Sequence, residues 1–343
     1  MRYRITDPTS FPAWNDLLAG CRQHSFFHTS EWARVLCRAY GYRARYLVSL
    51  GGGSLRTLVP LMEVNSFLTG KRAVSLPFTD ESPLVFQDRF DFAAHLKALR
   101  DRGRRRGLRY IEWRGGDQYF KGMPPFCRFY VHTLRLHPEE RRLLSGFRSS
   151  TRRNIRKAAK TGVRVEILNT LDAVGAFYRL NCMTRKVHGL PPQPLRFFRL
   201  LHEHVISRGK GFVALASFEG KPVAAGVYLH FGGRAIYKYG ASDRRFQHLR
   251  ANNLVMWQAI RWYAARGYES FSFGRTAPQN TGLLQFKRGW GVSETVVHYY
   301  RYELGKDAFV QEEKPHPFLF ELFHRMPEPL LRLMGVLLYR HVA

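Results

Sequence analysis

Apolar and polar positions along the chain fall into two successive runs of predicted elements. In the first run, Trp14 to Leu18 and Ser30 to Tyr40 carry apolar residues at helical spacing, with Ser30 placed to cap Glu31-Trp32-Ala33. Strands are predicted at Arg45 to Leu50 and Leu55 to Val64, with Gly51 to Gly53 as the hairpin between them. A helix over Phe92 to Arg102 leads through three arginines into a strand at Tyr110 to Arg114. The second run holds a strand at Val163 to Leu168 and then a helix with Val174, Phe177, Tyr178, Asn181 and Cys182 on one face, stopped by Gly189. An antiparallel meander follows at Gly211 to Phe218, Val223 to Phe231 and Ala235 to Ala241. A helix then carries Leu254, Val255, Gln258, Ala259, Trp262 and Tyr263 on its buried stripe. Phe271 and Phe273 alternate with serines in a strand that Gly274 is expected to end. Beyond it lies a short polar stretch, an amphipathic half-turn with Phe286 and Lys287, and Gly289-Trp290-Gly291. Polar side chains that follow a strand end between glycines usually face a cleft.

At 343 residues and 45 % apolar content, the chain has room for two domains with sizeable cores. The predicted divisions are 1–140, 141–304 and a tail at 305–343. That tail reads as two short apolar helices, Phe318-Leu319-Leu322-Phe323 and Leu330 to Tyr339, broken by Pro327 and Pro329 and flanked by Arg325, Arg332, Arg340 and His341. It either packs on the second domain or lies in a membrane interface.

Charge narrows the range of partners. With 55 Lys and Arg against 26 Asp and Glu the net charge is +29, which attracts RNA, anionic headgroups or nucleotide-linked substrates unless it merely reflects an arginine-rich composition. From Arg141 to Arg164 there is no carboxylate. Arg152, Arg156 and Lys160 fall at i, i+4, i+8 beside Arg153 and Lys157, on a helix that Ser149, Ser150 or Thr151 is placed to cap. Such a repelling stripe is either a solvated face or an anion-binding one. Four cysteines without metal or redox spacing read as reduced core thiols, and no metal site is expected. The beginning lacks an apolar run of signal-peptide length and no run is long enough to span a membrane, so a cytoplasmic protein, at most peripheral to the inner membrane, is expected. A monomer is expected as well.

Several segments resemble the Fem family of aminoacyl transferases, nearest to the branch associated with exosortase and exopolysaccharide gene sets. They are the F-x-F-G-R run ending at Arg275 with the later F-K-x-x-W-G, the L-P-F-T-D-x-x-P segment at Leu76 to Pro83, the R-R-N-I-R-K-A-x-K-x-G-V run from Arg152, and T-R-K-x-x-G-L-P-P-Q-P from Thr184. Glu81 departs from the aromatic or small residue usual beside Asp80. The resemblance covers about residues 10 to 304 and implies an α/β (α+β) chain of two tandem acetyltransferase-like (GNAT) domains. It also implies an aminoacyl group drawn from aminoacyl-tRNA, with no bound cofactor, and given to an amine on an anionic nucleotide- or lipid-linked acceptor.

Direct attack suits the chemistry, because the sequence holds neither a Ser-His-Asp arrangement nor G-x-S-x-G. Lys287 is the candidate catalytic residue: a cation near the cleft strand stabilises an oxyanion and the leaving 3′ oxygen, or holds a carboxylate or phosphate, unless it only covers the Trp290 ring. The resemblance puts the lysine of this segment at the reaction centre. Arg275 is placed to grip an acceptor phosphate. Asp80 is either a turn residue or an orienter of the acceptor amine. Arg185 and His188 lie in the loop that lines the acceptor pocket in the resembled fold. Tyr237 and Tyr239 line the cleft or fill the core, and Trp290 is a candidate substrate contact. Arg152, Arg153, Arg156, Lys157 and Lys160 are the candidate tRNA or anion contacts. The alternative donor is acyl-CoA or an acyl carrier. It is disfavoured by the turn Arg245 to Asn253, which has no glycine where backbone amides ordinarily approach the pyrophosphate. A third reading, from another class, is a non-catalytic RNA- or membrane-binding protein on a degenerate version of the fold.

Overall fold

The computed structural model describes residues 3–21, 23–86, 92–311 and 318–342, with side chains from residue 322 onward in the last stretch. It divides into two compact units. One comprises Met1–Phe129, Val296–Lys314 and Leu338–Ala343, the other Tyr130–Thr295 and Pro315–Leu337.

In the first unit the helix Ser30–Tyr40 is capped not by Ser30 but by Thr29, whose hydroxyl accepts the Trp32 N–H. The predicted strand from Leu55 to Val64 is two strands, Ser54–Val59 and Met62–Ser66. Pro60 lacks the N–H that a continuous ladder needs, so the chain turns there and the two halves join different sheets. Gly52 and Gly53, both at positive φ, make the hairpin between Tyr46–Gly51 and Ser54–Val59. The helix extends over Phe92–Arg105 and the following strand spans Tyr110–Arg114. Trp113, Phe120, Ile111, Leu96, Tyr300 and Tyr302 centre the core.

The second unit is built on the meander Gly211–Phe218, Lys221–Phe231 and Arg234–Ser242, with Arg164–Leu168 on its outer edge. The strand Ser270–Thr276 lies parallel to Arg234–Ser242, and residues 130–135 pair antiparallel to it on its other side. The helix Ala251–Ala264 is buried on more than the predicted stripe, adding Met256, Trp257 and Ile260. The extra burial comes from Phe147 and from Ile155 and Ala158 of the helix Ser149–Lys160, which share its core cluster. That basic helix has no side-chain cap from Ser149, Ser150 or Thr151. Its N-cap is Arg148, whose N–H donates to the Gly289 carbonyl at 3.0 Å.

The tail forms two helices, Phe318–Arg325 and Glu328–Leu338; residues 315–317 and the side chains of Phe318 and Leu319 lie outside the described ones. Leu331 and Gly335 are buried, with Gly335 against the Pro192 carbonyl and Arg332 over the Tyr178 ring. Leu330, Leu333 and Leu337 remain about half exposed on another face. No helix among the described residues is long and apolar enough to cross a membrane.

Candidate active site

Two bulges shape the centre of the second unit. Arg234–Ser242 and Ser270–Thr276 pair only through Arg234↔Ser270, Ala235↔Phe271 and Ile236↔Ser272. Directly after this, Lys238 is an extra residue between the Tyr228↔Tyr237 and Val227↔Tyr239 pairs. A second extra residue lies between Ser272 and Arg275, where Gly274 takes φ +68° and donates its N–H to the Ser272 hydroxyl. A bulge twists its strand away from its neighbour, so the two parallel strands part beyond their first three pairs. Gly274 therefore bends the strand rather than ending it, and the strand runs on to Thr276.

At the Gly274 bulge, Lys287 supplies a side-chain partner for two backbone carbonyls. Thr281–Arg288 is a full helix, capped by the Asn280 side chain, where the sequence suggested only a half-turn. It carries the Lys287 ammonium to 2.8 Å from the Gly274 oxygen and 3.2 Å from that of Arg275, and Lys287 is only 2 % exposed. Arg275 thus contributes its carbonyl to this clamp. Because a buried ammonium is tolerated only when its donors are met, the two carbonyls fix its place.

His132, on the neighbouring strand, adds a group that sequence reasoning missed. It is fully buried, and its Nε2 donates to the Glu294 carboxylate at 2.7 Å. Glu294 is gripped from its other side by Arg288, whose Nε and Nη2 both donate at 2.7 Å, and that contact holds its pKa below the usual carboxylate value. Burial keeps the His132 pKa below its ordinary value, the Glu294 bond pulls it partly back, and the Lys287 charge adds to the lowering. Among the described residues, His132 Nδ1 and the buried Thr276 hydroxyl have no hydrogen-bond partner. The signal for His132 was its place in an alternating strand that the sequence reading passed over, whereas nothing in the sequence marked Glu294.

Trp290 is not at a surface. Its ring is fully buried among Phe147, Phe273 and Phe286, so it anchors the lysine helix to the core and cannot touch a substrate there. The glycines beside it permit this approach. A Cβ on Gly289 would strike the Thr151 hydroxyl, and one on Gly291 would stand 2.7 Å from the Gly146 carbonyl. Tyr237 is only partly buried and packs against the core, its ring on Tyr228 and its hydroxyl over Gly240, and desolvation lifts its pKa to about 12. Tyr239 packs against Phe177, Phe197 and Phe198.

Arg185 and His188 meet a third cation. The Thr184 hydroxyl ties the end of its helix to the Ser242 backbone, and Arg185 Nε donates to the Pro191 carbonyl, bracing the proline loop. His188 keeps contact with solvent at the surface, and desolvation by the atoms packed around it, then the charges of Arg185 and Arg244, lower its pKa. Beside this cluster is a cavity of about 140 Å³ at the start of the helix Ala251–Ala264, lined by Ser242, Asp243, Gln247, Arg250, Asn252 and Phe286. Arg250 takes φ +61°, the left-handed conformation that a glycine ordinarily serves.

Among the basic-helix candidates, Arg152 is structural, donating to the Leu144 and Ser145 carbonyls. Arg153, Arg156, Lys157 and Lys160 are exposed with no carboxylate in ion-pair reach among the described residues. Asp80 belongs to the first unit, where its loop is held by the Tyr299 hydroxyl donating to the Asp80 and Thr79 carbonyls. Leu76 and Phe78 there take φ of +55° and +60°, a strain of about 1 kcal/mol or more each that places the loop deliberately.

Residues 145–288 match the family model for an acetyltransferase (GNAT) domain, so the second unit carries a GNAT-type acyltransferase domain. No curated protein matches the sequence. Among solved structures, FemX aligns with a TM-score of 0.66 at 13 % identity over 87 % of this chain and 97 % of its own. A tandem GNAT protein from the clavulanic acid biosynthesis pathway aligns with a TM-score of 0.59 at 11 % identity, over 89 % and 98 %. L-PGS from Bacillus licheniformis aligns with a TM-score of 0.51 at 12 % identity, over 93 % and 95 %. At these identities the likeness is one of fold, and the fold is a mixed α/β tandem GNAT.

Proposed function

We propose that the chain is a Fem-like N-acyltransferase, taking an aminoacyl group from aminoacyl-tRNA and passing it to an amine on an anionic cell-envelope or polysaccharide precursor. The observation that carries this reading is the joint between the basic helix and the lysine helix. Arg148, at the head of the helix bearing Arg153, Arg156, Lys157 and Lys160, donates its N–H to the carbonyl of Gly289, two residues after Lys287. A polyanion held on the first helix is therefore held beside the second. The neutral amine attacks the ester carbonyl, a C–N bond forms as the C–O bond to the ribose breaks, and the proton lost by nitrogen ends on the leaving 3′ oxygen. The Lys287 charge, in a low-dielectric setting and fixed in advance, stabilises the oxyanion. His132 and Glu294 set the electrostatics around it, as positioning residues.

The test is binding of charged tRNA followed by transfer to a supplied amine acceptor. Tight binding that weakens steeply with salt supports the reading, and equal indifference to tRNA and other polyanions at moderate salt removes it. A second reading, acyl-CoA or acyl-carrier-dependent transfer, is favoured by the cavity at the start of Ala251–Ala264 and by Arg250 keeping the left-handed turn. A thermal shift on adding acyl-CoA, with none on adding tRNA, decides for it.

A further inference from the structure

The first unit carries a feature that acyl transfer does not use. The hairpin of Met62–Ser66 and Gly70–Val74 ends in Phe67 and Leu68, which are 85 % and 55 % exposed. A tip of this kind is normally polar. Here it is held rigidly instead. The Ser66 hydroxyl donates to His341 Nδ1 at 2.9 Å, Thr69 Oγ1 and Arg72 Nη2 donate to the His341 carbonyl at 2.9 and 2.6 Å, and the Phe67 ring stands edge-on to the buried imidazole, 4.6 Å between centroids. Val342, next in the chain, is 56 % exposed. Three exposed apolar side chains are thus presented on a braced scaffold.

Cations lie alongside on the same unit. Arg109 donates to the Thr69 carbonyl at the tip, and Arg340 is exposed beside His341. The flank of the hairpin opens on a cavity of about 350 Å³ whose lining includes Arg43, Lys71, Arg105 and Arg106, with Asn65 and a single carboxylate, Glu63. Glu63 is already committed to Arg106 at 2.9 Å and Arg102 at 3.6 Å. Arg43, Lys71 and Arg105 have no carboxylate in ion-pair reach among the described residues. The Arg102–Arg106 segment lies at a helix C-terminus, which accounts for some of this charge but not for Arg43 or Lys71 on the strands.

We infer that this edge of the first unit docks on an anionic phospholipid surface, with Phe67, Leu68 and Val342 entering the interface and the Arg43-Lys71-Arg105 cavity receiving a headgroup phosphate. Apolar side chains ringed by cations are what such a surface binds, and each signal alone is too weak for stable attachment. A nucleic acid would meet the cations but gains little from aliphatic Leu68 and Val342.

The test is flotation of the full chain with vesicles of neutral phosphatidylcholine, or of phosphatidylcholine with phosphatidylglycerol. Recovery with the anionic vesicles only is expected. The double substitution Phe67→Ser, Leu68→Ser should cut partitioning at least tenfold, and Lys71→Gln about fivefold, with thermal melts unchanged because all three residues are exposed. Equal recovery with neutral and anionic vesicles, or wild-type recovery by both variants, overturns the inference. So does saturable uptake of free pyrophosphate without vesicle binding, or a dimer in solution that dissociates on the Phe67 and Leu68 changes. The readout involves neither tRNA nor transfer, so its outcome is separate from that of the proposed reaction.

Discussion

The Lys287 ammonium lies 2.8 Å from the carbonyl oxygen of Gly274, the left-handed residue at the bulge between Ser272 and Arg275. One side chain thus closes a bulge and places a positive charge at the end of a strand.

This double duty separates three substitutions. Lys287→Met leaves two carbonyls without their buried partner and should cost about 2–4 kcal/mol, seen as a lower melting temperature. Both Lys287→Met and Lys287→Ala should lower kcat about a hundredfold or more while KM holds, because only the transition state draws on the charge. Lys287→Arg should recover little, since a planar fork does not fit a site shaped for a compact ammonium. A wild-type melt for Lys287→Met would mean that the bulge holds itself.

Much of this was legible in advance, and the failures have physical causes. The meander and the Phe271-Phe273 alternation follow from side-chain period and the helix stop at Gly189 from a glycine's left-handed backbone, so local pattern sufficed. The bulges at Lys238 and Gly274 did not, because an extra residue in a ladder is defined by the partner strand. Trp290 read as a cleft residue from its neighbours in sequence, while the space it fills is made by Phe147, over a hundred positions away. The His132–Glu294 bond joins residues too distant for any spacing rule.

Packing around the Gly-Trp-Gly segment gives a second expectation. Trp290→Ala should cost about 3–5 kcal/mol, and Gly291→Ala about 1–3 kcal/mol from the combined φ of +66° and close approach to Gly146. Both are read from denaturant melts. If either variant instead changed KM at unchanged stability, the segment would touch substrate after all.

The basic helix separates binding from folding. Replacing Arg153, Arg156, Lys157 and Lys160 with Gln should leave the melt unaltered and reduce the slope of log Kd against log salt for tRNA by about 3. Arg152→Ala should do the reverse, lowering stability through the freed Leu144 and Ser145 carbonyls and leaving the slope nearly intact. Fluorescence anisotropy across a salt series distinguishes them.

Acid should destabilise the fold well before carboxylates titrate. In the first unit His28 is buried, accepts the Ser25 N–H on Nδ1 and bonds Pro83 through Nε2, and burial pushes its pKa down to about 4. The folded form therefore refuses a proton that the unfolded chain accepts near 6.5. Its stabilisation is whole above about pH 6.5 and drains away as pH falls toward 4, by about 1.4 kcal/mol per unit. His132, His188, His230 and His341 are shifted in the same direction. Urea midpoints should drop steadily between pH 7 and 5, and less steeply in His28→Gln.

The bond from Arg148 to Gly289 joins backbone to backbone, and this has an evolutionary consequence. Under the proposed function, side chains on the exposed face of the basic helix are free to drift in number and kind, tuning grip on one polyanion or another, without loosening its attachment to the lysine helix. Only proline at position 148 deletes the donor. On that reading, changes in what the basic helix holds leave untouched how the buried cation is set.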